Sequence, residues 1–173
     1  NSYPVNPDVL ALCADTTSGG VISFTAIDEQ NGAEVDTGVV CDATGAYYSF
    51  FNQSATDGMV VVKLNPAGQE LWRYKDLGPT GASRGCMAFD SFGDFLLTDM
   101  VADVDGTDTR FVRMNSSNGA VLWSMNHNFG GSEFVGDMLV ASDGNPIVNG
   151  TKNRHANDAS FIAKMNAAIL TLD

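Results

Sequence analysis

An acid-rich stretch, DMVADVDGTDTR, is the first group of residues whose types and spacing could do chemistry. It contains four aspartates: Asp99, Asp103, Asp105 and Asp108. Carboxylates on one side of a turn are typical calcium ligands. The spacing differs from that of the EF-hand loop, however, and no Glu stands at the closing position. An Asp or Asn recurs at the equivalent place in the stretches ATDG and HANDAS, so we favour a turn-forming role. Calcium stays open as an alternative ligand.

Other sets that could support catalysis or bind a metal are weaker. His127 and His155 are the only histidines, and neither has a second His or Cys at ligand spacing. The nucleophile motif G-x-S-x-G is absent. The Gly-rich stretches Ser18–Gly20 and Phe129–Phe134 lack the strand–loop–helix setting of a phosphate site, so we predict turns there. We therefore assign no catalytic, cofactor-binding or metal-ligating residue.

The elements that carry these residues are predicted to be strands. Apolar residues come in short bursts rich in Val, Ile, Phe, Leu and Tyr, divided by Gly, Asn, Asp and Ser, and helical periodicity is nearly absent. The predicted class is all-β. The predicted strands are Val9–Ala14, Val21–Ile27, Glu34–Cys41, Ala46–Phe51, Met59–Leu64, Glu70–Tyr74, Gly85–Phe89, Phe95–Val101, Arg110–Met114, Ala120–Met125, Phe134–Ala141, Pro146–Gly150, Ser160–Met165 and Ile169–Leu172.

The strands repeat. The stretches VVVKLNPAGQELW, RFVRMNSSNGAVLW, SFIAKMNAAILTL and ISFTAIDEQNGAEV each run from a strand through an Asn or Asp into a turn and a second strand. A second hairpin, built around Gly45, Gly93 and Gly144, lies between these at a similar period of about 50 residues. Two interleaved hairpins make a four-stranded unit, with approximate boundaries at 20–54, 55–104, 105–156 and 157–173.

A four-stranded antiparallel unit of this length predicts β-propeller blades, because stacked sheets cover one another's faces. A sandwich or another stacked-sheet array is the alternative. The chain holds about three and a half blades in one domain, 1–173. It is then part of a longer propeller, completes a ring with another subunit, or forms a small four-bladed ring. We favour the first, because the sequence does not begin with Met and stops just inside a blade.

The stretch ending at Trp123 resembles the repeat of the quinoprotein-like propellers, in which an Asp or Asn, a Gly and a Trp dock neighbouring blades. The matching residues are Asn65, Gly68, Trp72, Asn115, Gly119 and Trp123. The phrases DGTDTRFVRMN and NDASFIAKMN are similar to the bacterial propeller repeats called SBBP. The resemblance covers most of residues 20–172, and it implies a fold more than a function. Asp36 stands where the first unit would have its Trp, and the last unit has neither Gly nor Trp.

The family also suggests a quinone-dependent enzyme, which this sequence does not match. Such an enzyme needs a stacking Trp, calcium-binding acids and usually two adjacent cysteines. Here no cysteines are adjacent, and the blade motif uses both tryptophans. In that motif we expect the Asn118-Gly119 pair to form a type I′ turn. We expect Trp123 to wedge between sheets, so that Trp123→Ala costs about 3–5 kcal/mol if the ring is buried.

Charge and cysteine content limit the compartment and the partners. The net charge of −12 argues against nucleic acid and against an anionic membrane surface. No apolar run is long enough to span a bilayer. Cys13 and Cys41 could form a disulfide in a secreted protein, or the cysteines could be buried thiols. Asn52 and Asn149 are candidate glycosylation sites in sequons. We expect an extracellular or otherwise exported protein.

The function these observations favour is a non-enzymatic propeller scaffold or interaction module in a larger assembly, with protein partners or other subunits. One alternative is a propeller enzyme, a hydrolase, lyase or quinone-dependent dehydrogenase, whose active site lies partly outside this segment. Another is a calcium-stabilised surface protein. Because propellers bind through their loops, we expect partners at Leu77–Ser83, Asn126–Ser132 or Lys152–Asp158.

Overall fold

The computed structural model describes residues 9–14, 17–27, 34–52, 59–76, 85–103, 106–154 and 157–166. These residues form antiparallel strands and turns, which confirms the all-β class. The strands are β1 Val9–Ala14, β2 Val21–Ile27, β3 Glu34–Asp42, β4 Gly45–Asn52, β5 Met59–Leu64, β6 Glu70–Lys75, β7 Met87–Phe89, β8 Phe95–Asp103, β9 Gly106–Met114, β10 Val121–His127, β11 Ser132–Val140, β12 Pro146–Arg154 and β13 Asn157–Lys164.

Thirteen of the predicted strands are present at nearly the predicted positions, and the last one, Ile169–Leu172, lies outside the described residues. Neighbouring strands in sequence pair with each other, so each sheet is a simple meander. The sheets are β1-β2, β3-β4-β5-β6, β7-β8-β9-β10 and β11-β12-β13. Within the described residues all four sheets are open.

These sheets group the hairpins differently from the predicted repeat units. The four-stranded sheets span residues 34–75 and 87–127, whereas the predicted units begin near residues 20, 55 and 105. The chain also divides into two compact units, 1–78 and 79–173.

In the first unit, the β1-β2 sheet packs against the sheet that contains β5. Ala11 and Ile27 from the smaller sheet form a buried cluster with Val60, Val62 and Leu64. All six residues of β5 are buried, so both faces of this strand are covered.

In the second unit, the sheet β7–β10 packs face to face on the sheet β11–β13. Cys86, Leu96 and Phe111 on one side meet Val135, Met138 and Val148 on the other. These residues are called the shared core below.

Gly150 lies at a close approach within the sheet β11–β13. Gly150 on β12 faces Phe161 on β13, and a Cβ at residue 150 would lie 2.2 Å from the Phe134 carbonyl oxygen and 2.8 Å from the Phe161 ring. Since no side chain fits there, the ring of Phe161 covers the glycine backbone.

Candidate functional site

Short polar side chains hold the turns between strands. The Asn65 Oδ1 atom accepts the backbone N–H groups of the residues two and four positions later, both at 2.9 Å. The Asp90 Oδ1 atom likewise accepts the N–H groups of the residues two and four positions later, at 2.7 and 3.1 Å. In both turns a glycine with positive φ follows at the third position, Gly68 (φ 79°) and Gly93 (φ 85°). The repeated Asn or Asp therefore shapes a three-residue hairpin loop.

The turn before Trp123 corrects one prediction. Asn115 N–H bonds the Ala120 carbonyl at 2.8 Å, and Gly119 N–H bonds the Asn115 carbonyl at 2.9 Å. Four residues, 116–119, lie between the paired positions, so the two-residue type I′ turn predicted at Asn118-Gly119 is wrong. The Asn115 side chain stabilises the longer loop instead, because its Oδ1 accepts the Ser117 N–H at 3.0 Å.

The aspartates of the acid-rich stretch do not form one site among the residues that the structure describes. Asp99 on β8 lies directly across from Arg110 on β9, and the guanidinium binds its carboxylate through Nε at 2.9 Å and through Nη2. Asp99 is 1% exposed, so its carboxylate is used in a buried ion pair. The side chains of Asp103 and Asp105 lie outside the described residues. Within the described part of the chain, no three His, Cys, Asp or Glu side chains come together as a metal site.

A second arginine connects β9 to the turn between β7 and β8. Arg113 Nε donates to Asp90 Oδ2 at 2.6 Å, and its Nη2 donates to Asp94 Oδ2 at 3.1 Å. The Arg113 guanidinium also lies 5.2 Å from the centre of the Phe92 ring. These groups are fully used in holding the turn against the sheet.

The two tryptophans of the repeat motif are both partly buried. Trp123 packs against the core cluster that the two sheets of the second unit share. Its predicted role as a wedge between sheets requires such a position. Because the ring is only partly buried, the energetic cost of removing it is smaller than for a fully buried side chain.

One residue of the loop 126–132, which is predicted to bind partners, packs against the shared core: Phe129. Asn126, Asn128 and Ser132 of the same loop are exposed. The Phe129 ring stacks on Phe161 at 4.6 Å and meets His127 edge-on at 4.3 Å. Lys152 Nζ donates to the Phe129 carbonyl at 3.2 Å. The predicted loop Leu77–Ser83, His155 and the middle of Lys152–Asp158 lie outside the described residues.

One face of the second unit exposes aliphatic side chains to solvent. The face of β11–β13 that points away from the shared core, here called the outer face, is lined by Asp137, Leu139, Ile147, Asn149 and Ile162. Ile162 is 80% exposed and Leu139 is 56% exposed. These side chains surround a shallow depression of about 140 Å³.

Sequence reasoning missed the outer face. Because side chains alternate along β13, Ile162 points to the other face of the sheet from Phe161 and Ala163. This alternation can be read from the sequence. On its own face, however, Ile162 stands between the polar residues Ser160 and Lys164, so β13 alone does not mark that face as apolar, and the apolar neighbours come from β11 and β12. Asn149, the predicted glycosylation site, is exposed on this face, whereas the side chain of Asn52 lies outside the described residues.

The cysteines differ in environment. Cys41 is a free, exposed thiol, so the alternative of a Cys13–Cys41 disulfide is not formed. Cys86 is buried in the shared core, and this burial raises its pKa to about 11. The buried-thiol alternative therefore holds for Cys86. The Cys13 side chain lies outside the described residues.

Comparisons with known proteins address the fold alone. The sequence matches no protein-family model and none of the curated proteins. The structure is similar to a crystal structure of a protein of unknown function from Bacteroides caccae, with 12% sequence identity and a TM-score of 0.50. The match covers 89% of this chain and 53% of that chain, so this chain spans about half the length of its structural neighbour. Among the described residues no helix is long and apolar enough to cross a membrane.

Proposed function

We propose that this chain is a non-enzymatic scaffold, an interaction module whose outer face binds a β-sheet of another subunit. The observation that carries the proposal is the exposure of Ile162 and Leu139 at 80% and 56% on one sheet face. Contiguous exposed apolar side chains on a folded protein mark interaction surfaces.

The organisation of the second unit supports a β-sheet as the partner. The inner face of β11–β13 is covered by the sheet β7–β10 through Leu96 and Phe111. The outer face presents one aliphatic side chain on each of the same three strands, beside the polar Asp137 and Asn149. An antiparallel sheet of another subunit would cover them as β7–β10 covers the inner face. We take a second copy of this chain as the simplest source of that sheet.

The charged side chains near the core also favour a scaffold. Asp99, Arg110 and Arg113 are engaged in ion pairs between strands or between a strand and a turn. Groups in such pairs serve the fold rather than a substrate.

The finer architecture is part of the same proposal. Four-stranded antiparallel meanders suit blades of a β-propeller, and the quinoprotein-like and SBBP repeats remain the families that the motif resembles. The proposed module is exported, which suits its acidic composition. Calcium binding is not needed for this function.

Sedimentation velocity tests the proposal. We expect wild-type chain to self-associate at concentrations up to about 100 µM, and we expect Ile162→Glu to raise the dissociation constant at least about 30-fold. Val39→Glu is the matched control, since Val39 is an exposed aliphatic residue, 58% accessible, on another sheet. A wild-type chain that stays monomeric, or equal effects of the two variants, would overturn the proposed function.

A further inference from the structure

Glu133, the second residue of β11, is a buried acid with no obvious task. The residue is 1% exposed, and within the described residues neither carboxyl oxygen has a hydrogen-bond partner. Thr109 on β9 is equally buried, and its Oγ1 is also without a partner there. Buried polar groups are normally satisfied, so two such groups in one contact require an explanation.

Glu133 lies where the two sheets of the second unit join. Thr107 Oγ1 on β9 donates to the Glu133 carbonyl at 3.4 Å. One residue earlier, a Cβ added to Gly106 would lie 2.4 Å from Ser132 Oγ, so β9 and β11 approach closely at this point. The carboxyl is therefore shielded from water beside this contact.

The charges around Glu133 do not neutralise a carboxylate. Lys152 lies directly across from Glu133 on β12, but its ammonium donates to the Phe129 carbonyl. On β9, Arg110 is paired with Asp99, and Asp108 adds a negative charge. His127 on β10 lies across from Thr109 and contacts Phe129.

The balance of these effects favours the neutral acid. Burial raises the pKa of Glu133 above its ordinary value of 4.5, and the charge of Asp108 raises it further. The backbone groups of Phe129, Gly130 and Thr109 act in the opposite direction, although none of them reaches hydrogen-bond geometry. An ionised carboxylate without a partner is costly in such a place.

We propose that the protonation state of Glu133 controls the contact between β9 and β11. The contact is closed when the carboxyl is protonated, and it loosens when the carboxyl releases its proton to solvent. The neutral carboxyl places no charge in this contact, and although it is not bonded to Thr109 Oγ1 in the structure, its O–H is a donor that a side-chain rotation would bring to that unsatisfied group. Ionisation removes that donor and leaves a charge between the two sheets.

The direction of the pH effect follows from linkage. A carboxyl whose folded pKa is raised contributes stability that is fully present below the unfolded pKa and is lost as pH rises through the folded pKa. Between these two values, the equilibrium constant for opening the contact rises about tenfold per pH unit. The contact is therefore tightest in acid.

The test is a ¹³C carboxyl NMR titration of the wild-type chain, combined with hydrogen-exchange protection factors for the β9 and β11 amides. We expect the Glu133 midpoint to lie above 4.5, and the protection factors to fall as pH rises from 4.5 towards that midpoint. Glu133→Gln mimics the neutral acid, so its protection factors should not change over this range. Asp143→Asn, at a half-exposed acid in the turn between β11 and β12, is the control and should behave like wild type.

Two results would overturn the proposal. One is a Glu133 midpoint at or below 4.5. The other is a Glu133→Gln chain that keeps the wild-type pH dependence. If that variant does not fold, the wild-type titration decides alone.

Discussion

The ion pair between Asp99 and Arg110 makes the second unit sensitive to the loss of one partner alone. The Asp99 side chain is fully buried and that of Arg110 is 17% exposed, and two atoms of the guanidinium bind the two carboxylate oxygens. We predict that Arg110→Met, which keeps most of the aliphatic side chain, destabilises the unit by leaving this carboxylate buried without its cation.

The magnitude follows from the burial of the pair. Removing one partner of a buried ion pair costs about 3–5 kcal/mol, and because Arg110 retains some solvent contact we expect the lower end, about 3 kcal/mol. Replacing both charges by apolar residues removes the desolvation cost as well. The double variant Asp99→Leu/Arg110→Met should therefore lie within about 1 kcal/mol of wild type.

Urea unfolding followed by Trp123 fluorescence, in a Trp72→Phe background, measures this unit specifically. Lys164→Met is the control, because it breaks an ion pair with Asp143 whose two side chains are half exposed, and we expect no measurable shift in midpoint. The reasoning is refuted if Arg110→Met costs less than about 1 kcal/mol, or if the double variant is as unstable as that single variant.

Three further outcomes test the packing of individual side chains. Trp123→Ala should cost about 2 kcal/mol in urea unfolding followed by circular dichroism, below the range for a buried ring, because the side chain is only partly buried; a loss of more than about 4 kcal/mol would contradict this. Gly150→Ala should cost about 3 kcal/mol, because its Cβ would meet a backbone carbonyl oxygen at 2.2 Å. Gly136→Ala, whose Cβ meets only an ordinary contact at 3.4 Å, should be nearly neutral, and equal thermal stability of the two glycine variants would refute the steric argument. Iodoacetamide at pH 8 should modify Cys41 rapidly and Cys86 only after unfolding, as read by peptide mass spectrometry, because Cys41 is exposed and burial raises the pKa of Cys86 to about 11; early labelling of Cys86 would show that its burial is wrong.

Local sequence patterns were enough to locate the strands and most turns. Strand bounds depend on alternating or continuous apolar runs, and turns depend on Gly, Asn and Asp at short range. Asn65 and Asp90 illustrate this, because their side chains bond backbone groups within four residues. The loop before Trp123 was assigned the wrong turn type, since the dipeptide Asn118-Gly119 also fits a longer loop.

The candidate sites depended on contacts that no local pattern encodes. Asp99 belonged to an acid-rich stretch in the sequence, but the register of β8 against β9 places Arg110 across from it. Glu133 belonged to a Gly-rich stretch predicted to be a turn, but it lies in β11 at a contact between sheets.

The sequence by itself determined the all-β class, the order of the strands and the residues that bend the chain, because these result from interactions over a few residues. Only the tertiary structure decided which apolar side chains are buried, which aspartate forms an ion pair with an arginine, and which acid is buried away from water. Burial and charge pairing are set by strands far apart in sequence. For that reason the exposed face at Ile162 and the buried acid Glu133 became recognisable only in the folded chain.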